Sequence, residues 1–171
     1  MATHHKNLST HNPADIPSLP GKKIGIVVSE YNTDITSALL AGARETLLKY
    51  GISAADITVS FVPGSYELPL GAQFHIDHHK CDAMIVLGCV ITGETKHDEY
   101  ISHAVSQGIM QLGLFYKKPF IFGLLTPLNK EQAMDRAGGK HGNKGVEAAV
   151  AALKMLALKN IAKNTPALGF K

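Results

Sequence analysis

Residues 22–28, Lys22-Lys23-Ile24-Gly25-Ile26-Val27-Val28, form a short β-branched run, and Ile35, Leu39, Ala43 and Leu47 then recur every four positions. An apolar run followed by helical spacing reads as a strand leading into an amphipathic helix. Asn32 or Thr33 is expected to accept bonds from the free amides at the helix start, and Asp34 suits its positive end. Gly51 is placed to close the helix in a left-handed turn. The same alternation then repeats. Residues 57–62 read as a second strand, Pro63-Gly64 as a break, and about 67–80 as a helix that tolerates Pro69 in its first turn. Residues 82–91 are apolar without alternation, as in a strand covered on both faces. Tyr100, Ile101, Ala104, Val105, Ile109 and Leu112 mark a long helix. Residues 119–125 give a fourth strand, leading into a short helix that Asn129 can cap. Residues 138–145 interrupt the pattern before a last helix over about 146–162.

Four strands interleaved with helices imply right-handed crossovers and one four-stranded parallel sheet between two helical layers, an α/β fold of three layers. At 171 residues, of which 45% are apolar and 18% charged, the chain fits a single domain, 1–171. Its core is expected over 22–162. Residues 1–21 carry Pro13, Pro17, Pro20 and Gly21 among polar residues and read as a flexible arm, ordered against a neighbour.

Composition removes several functional classes. A net charge of +3 is too small and too scattered to imply nucleic acid. No stretch approaches the roughly 20 apolar residues of a membrane span, so a soluble, cytoplasmic protein is expected. Cys81 and Cys89 lack CxxC spacing and read as reduced core thiols. His75, His78 and His79 share one helical face, but HExxH is absent and the face reads as solvated, so no metal is expected. GxxxxGK[ST], a strand-linked GxGxxG and GxSxG are also missing.

In open parallel sheets ligands bind beyond the carboxyl ends of the strands. The first such loop presents Tyr31. The second presents Ser65, Tyr66 and Glu67, an aromatic beside a carboxylate. Two aromatics at one rim can clamp a flat ring, each adding about 0.5–1.5 kcal/mol beyond area burial. The third loop runs from Cys89, Val90 and Ile91 through Gly93, Glu94 and Thr95 to His97. Amides there attract an anion, and a histidine is suited to proton exchange near neutrality. The fourth region supplies Phe122, Arg136 and Lys144, with Arg136 able to hold a phosphate bidentately. Taken singly, each also fits a structural role: loop tyrosines as a cover for the core, His97 and Arg136 as solvated surface.

Taken in order, four blocks resemble the lumazine synthase family of riboflavin biosynthesis. They are Glu30-Tyr31-Asn32, residues 62–69 (VPGSYELP), residues 88–97 (GCVITGETKH) and residues 136–145 (RAGGKHGNKG). The resemblance covers about residues 22–158. It implies a flavodoxin-like α/β/α sandwich and condensation of 5-amino-6-(D-ribitylamino)uracil with 3,4-dihydroxy-2-butanone 4-phosphate, without metal or redox cofactor. Position by position, Tyr31 matches the ring-stacking aromatic, and Ser65, Tyr66 and Glu67 match the segment near the ring and ribityl chain. Cys89, Val90 and Ile91 match backbone contacts to the ring, Glu94 and Thr95 the phosphate turn, and His97 the proton-transfer residue. Phe122, Arg136 and Lys144 match groups that the family supplies from the adjacent subunit. The resemblance therefore also implies a homopentamer, with sixty-subunit shells and a riboflavin synthase as further associations. Three positions depart from the family pattern: Tyr31 replaces a more usual Phe or Trp, Thr92 a frequent Arg, and Asp98 a common aromatic. Three other readings stay open at this level: a riboflavin synthase of related type, a flavin-binding or shell-forming protein without catalysis, and a flavodoxin-like signalling domain.

Overall fold

A computed structural model describes residues 7–164 of the chain. Four parallel strands, β1 (Ile24–Ser29), β2 (Ile57–Val62), β3 (Ala83–Cys89) and β4 (Phe120–Leu125), form one sheet in the order β2-β1-β3-β4. Among the described residues five α-helices accompany them: α1 (Thr33–Lys49), α2 (Leu68–His79), α3 (His97–Tyr116), α4 (Lys130–Asp135) and α5 (Lys144–Asn164). The α/β architecture read from the sequence is the one found, with element ends shifted by a few residues. The 138–145 interruption contains a small antiparallel pair, β5 (Ala137–Gly139) and β6 (Gly142–Asn143).

Successive side chains along a strand point to opposite faces, and the sheet here buries both. On one face Ile24, Ile26, Val28, Ile85 and Leu87 pack with Ile35, Leu39 and Leu47 of α1 and with Leu153 and Leu156 of α5. On the other, Val27, Met84 and Val86 pack with Ala72 and Ile76 of α2 and with Val105 and Ile109 of α3. The helices thus form a layer on each side, as right-handed crossovers require.

The caps divide into expected and unexpected ones. Asn129 accepts from the Gln132 amide at 2.9 Å, and Gly51 turns left-handed at φ 89°. Asn32 and Thr33 do not act as side-chain caps. Asn32 makes no such bond, and the Thr33 hydroxyl instead donates backward to the Glu30 carbonyl at 2.6 Å. Asn143 is a cap the sequence did not advertise. Its Oδ1 accepts from the Gly145 and Val146 amides at the start of α5, while its Nδ2 donates to Ala38 and Ala137.

Residues 7–21 of the segment read as an arm lie against their own chain, and residues 1–6 fall outside the described residues. The Leu8 amide donates to the His141 carbonyl, His11 Nε2 lies 2.7 Å from the Tyr50 hydroxyl, and Ile16 is buried in the core.

His75 corrects the expectation of a solvated histidine face. His78 and His79 are exposed, but His75 is buried between α2 and the sheet, with Nε2 at 2.7 Å from Thr58 Oγ1 and Nδ1 at 2.7 Å from Ser60 Oγ. Its spacing with the other two histidines disguised it, because one helical stripe here straddles the boundary between core and solvent. Burial, and then the neighbouring His79 and His78, lower its pKa to about 4. The unfolded chain takes up this proton near the ordinary histidine value of about 6.5, whereas the folded chain refuses it until about pH 4. Stability is therefore fully present above about pH 6.5 and is lost as pH falls toward 4, by up to about 3 kcal/mol. His75→Gln, which cannot titrate, is expected to flatten the fall in thermal midpoint between pH 7 and 4.5. Equal slopes for the two proteins would remove His75 as the cause.

Candidate active site

The loops leaving β1, β2 and β3 converge on a cleft of about 360 Å³ lined by Tyr31, Gly64, Ser65, Tyr66, Glu67, His97, Tyr100 and Ile101. Each wall has a local cause. Tyr31 stands in the turn between β1 and α1. A three-residue 3-10 turn, Ser65–Glu67, precedes α2 and carries Tyr66 and Glu67 outward, while Ser65 is buried with its hydroxyl donating to Ser29 Oγ at 3.4 Å. His97 is the first residue of α3, and Tyr100 and Ile101 follow about one turn later on the same face. Gly64 leaves room between two walls: an added Cβ would lie 2.9 Å from Glu67 Oε2 and 3.2 Å from the Tyr31 ring, so either exposed side chain would have to shift. Tyr31, Tyr66 and Tyr100 are 70%, 62% and 69% exposed, so three aromatic faces stand open at one rim.

Five residues picked from the sequence, Tyr31, Ser65, Tyr66, Glu67 and His97, thus line one cleft. The sequence reading missed Tyr100, Ile101 and Gly64. Tyr100 carried a signal, since it lies three residues after His97 on the same helix, but the sequence reading counts it only among the residues that mark that helix.

The third loop contributes differently. Cys89 is buried and its thiol is pushed up to about 11, first by burial and then by the Asp34 carboxylate. It stays protonated at neutral pH and is no nucleophile. Its carbonyl accepts from Asn32 Nδ2 at 3.0 Å, which links this loop to the first. Val90 and Ile91 are half-buried beyond the end of β3, and the Val90 amide is bonded to the Leu125 carbonyl. Glu94 and Thr95 are exposed in the turn before α3.

Phe122, Arg136 and Lys144 do not line this cleft. Phe122 is half-buried on β4 and lines a separate crevice with Ile109, Met110, Leu114 and Met155. Arg136 follows α4, where its Nη2 lies 2.6 Å from Glu147 Oε1 and its Nη1 donates to the His141 carbonyl at 2.7 Å. Lys144 Nζ lies 3.3 Å from the other Glu147 oxygen. Glu147 therefore fixes both cations side by side, a role hidden in the sequence because Glu147 sits inside an alanine-rich helix. Among the described residues no group of three His, Cys, Asp or Glu side chains is arranged to hold a metal ion, and no helix is long and apolar enough to cross a membrane.

The family model for 6,7-dimethyl-8-ribityllumazine synthase matches residues 21–160. A protein of that name from Cytophaga hutchinsonii is 55% identical over 157 residues, covering 92% of this chain and 98% of the relative. Its namesake from Parabacteroides distasonis is 50% identical over 156 residues, covering 91% and 98%. One from Porphyromonas gingivalis is 48% identical over 161 residues, covering 94% and 100%. Similarity of this depth, spanning the whole α/β core and all four loop blocks, means that the chain belongs to the 6,7-dimethyl-8-ribityllumazine synthase family.

Proposed function

We propose that this chain condenses 5-amino-6-(D-ribitylamino)uracil with 3,4-dihydroxy-2-butanone 4-phosphate, giving 6,7-dimethyl-8-ribityllumazine, phosphate and water. The observation that carries the reading is the convergence of two ring-bearing loops, the Glu67 carboxylate and the His97 imidazole on one cleft. A flat pyrimidine stacks on Tyr31 and Tyr66, and Glu67 accepts bonds from the ribityl hydroxyls. The backbone of residues 89–91 meets the ring edge. The turn carrying Glu94 and Thr95 holds the phosphate, with Arg136 as its guanidinium partner.

The chemistry follows from that placement. The pyrimidine 5-amine attacks the ketone, and loss of water leaves an imine. His97 moves the proton whose removal drives out phosphate, and the resulting enol tautomerises to a ketone. The ribitylamino nitrogen closes on that carbonyl, and a second water leaves. These steps ask for orientation and proton transfer, not electron transfer. Holding two substrates in attack geometry contributes several kcal/mol to lowering the barrier, about 7–11 at the limit.

The same reading makes the assembly part of the site. Phe122, Arg136 and Lys144 stand outside the cleft of their own chain. A neighbouring copy that brings them against Tyr31 and Tyr66 would cover the open aromatic faces and add positive charge beside the phosphate turn. A homopentamer working in the cytoplasm supplies such neighbours, and sixty-subunit packing and transfer of product to a riboflavin synthase extend the same reading.

His97→Ala is expected to lower kcat about 10²- to 10⁴-fold, the ordinary worth of one acid–base group, without abolishing turnover. An unchanged kcat in a lumazine fluorescence assay would remove His97 from the chemistry. Arg136→Ala should raise KM for the butanone phosphate about tenfold or more, as loss of a charged hydrogen bond does, with KM for the pyrimidine little changed. An unaltered KM for the phosphorylated substrate would show the phosphate assignment to be wrong. Sedimentation of the purified protein should give a mass that is a multiple of five chains, and a fully active monomer would refute the shared site.

A further inference from the structure

The order β2-β1-β3-β4 changes direction between β1 and β3, because β1 connects to β2 on one side while β3 leads to β4 on the other. Such a reversal opens a crevice where the two outgoing loops part. Here the β1–β3 ladder ends at the pair Val28 and Leu87. Beyond it the chain after β1 leans toward β2, with Ser29 opposite Val62 and the Glu30 amide donating to the Val62 carbonyl at 2.9 Å. The chain after β3 stays with β4, the Val90 amide donating to Leu125 at 2.9 Å and the Thr92 amide to Pro127 at 3.0 Å. Across the parting, Asn32 Nδ2 donates to the Cys89 carbonyl at 3.0 Å.

Asn32 also has an unusual backbone. It precedes α1 at φ 57° and ψ 50°, a left-handed conformation, whereas a helix N-cap is ordinarily extended. Lys80 and Lys117, the other non-glycine residues with positive φ among the described residues, stand at helix C-termini where a left-handed residue is the usual stop. Helix ending cannot explain Asn32. Its side chain makes no cap, while the first amides of α1 find other acceptors. Ile35 and Thr36 donate to the Asn32 carbonyl, and Ile35 also donates to Asp34 Oδ1. The amide group is thereby released from the helix and spent on Cys89. Asparagine suits this position because it is among the few residues that enter the left-handed region readily and it also carries a donor.

We propose that Asn32 is a positioning residue for the pyrimidine. Its left-handed turn and its bond to Cys89 fix the separation between the Tyr31 ring and the backbone of residues 89–91, so that both sides of the ring slot are set before substrate arrives. The inference rests on the function proposed above and adds a residue that the sequence reading assigned only to helix capping.

Two variants separate the turn from the bond. Asn32→Gly keeps the left-handed turn and removes the donor. Asn32→Asp keeps the shape and sets a carboxylate oxygen against the Cys89 carbonyl. Both are expected to raise KM and the calorimetric Kd for 5-amino-6-(D-ribitylamino)uracil about five- to tenfold, the worth of one neutral hydrogen bond, and more for the aspartate. KM for the butanone phosphate and kcat at saturation should stay within about twofold. The inference is overturned if the pyrimidine constants do not move. It is also overturned if KM for both substrates and kcat deteriorate together with the thermal midpoint, the mark of a merely structural residue. A wild-type protein that neither binds the pyrimidine nor forms lumazine defeats the functional reading itself, whereas an active wild type with indifferent variants defeats only the role of Asn32.

Discussion

Everything in this chain is hung on β1, whose six residues are all buried and whose two edges are both paired, to β2 on one side and β3 on the other. A strand so enclosed has no freedom of register, because a slip of one residue would turn Ile24, Ile26 and Val28 from the α1–α5 core toward the opposite layer. Fixing β1 fixes where β2 and β3 end, and the three loops that follow these strands supply the walls of the cleft. The geometry of the cleft is inherited here from sheet register.

Much of that framework is legible in the amino-acid order because it follows local rules. The four-residue recurrence of Ile35, Leu39, Ala43 and Leu47 predicts the buried stripe of α1, and all four are buried. Asn129 lies in the right place for a cap and is one. What stays hidden depends on distant contacts. Asn32 looks like a cap until Cys89, far along the chain, takes its amide. His75 looks solvated until Thr58 and Ser60 meet it. Asn143 reads as one residue of a glycine-rich loop, yet it organises the start of α5.

The candidate site divides along the same line. Tyr31, Ser65, Tyr66, Glu67 and His97 follow strand ends or begin helices, so topology alone gathers them. Phe122 lies within a strand, and Arg136 and Lys144 flank the small β5–β6 pair. Nothing within one chain carries these three to the cleft. Glu147, paired with both cations, keeps their charges together outside it.

The two hydroxyls that meet His75 have a bearing on how the sheet assembles. β2 is an edge strand, paired along one side only. Thr58 and Ser60 are two residues apart and engage the two ring nitrogens separately. The smallest displacement that preserves the facing of this strand is two residues, and it would bring Asp56 or Val62 to one nitrogen. The imidazole thus works as a ratchet tooth, meeting a hydroxyl at each of its nitrogens in one alignment of the outermost strand.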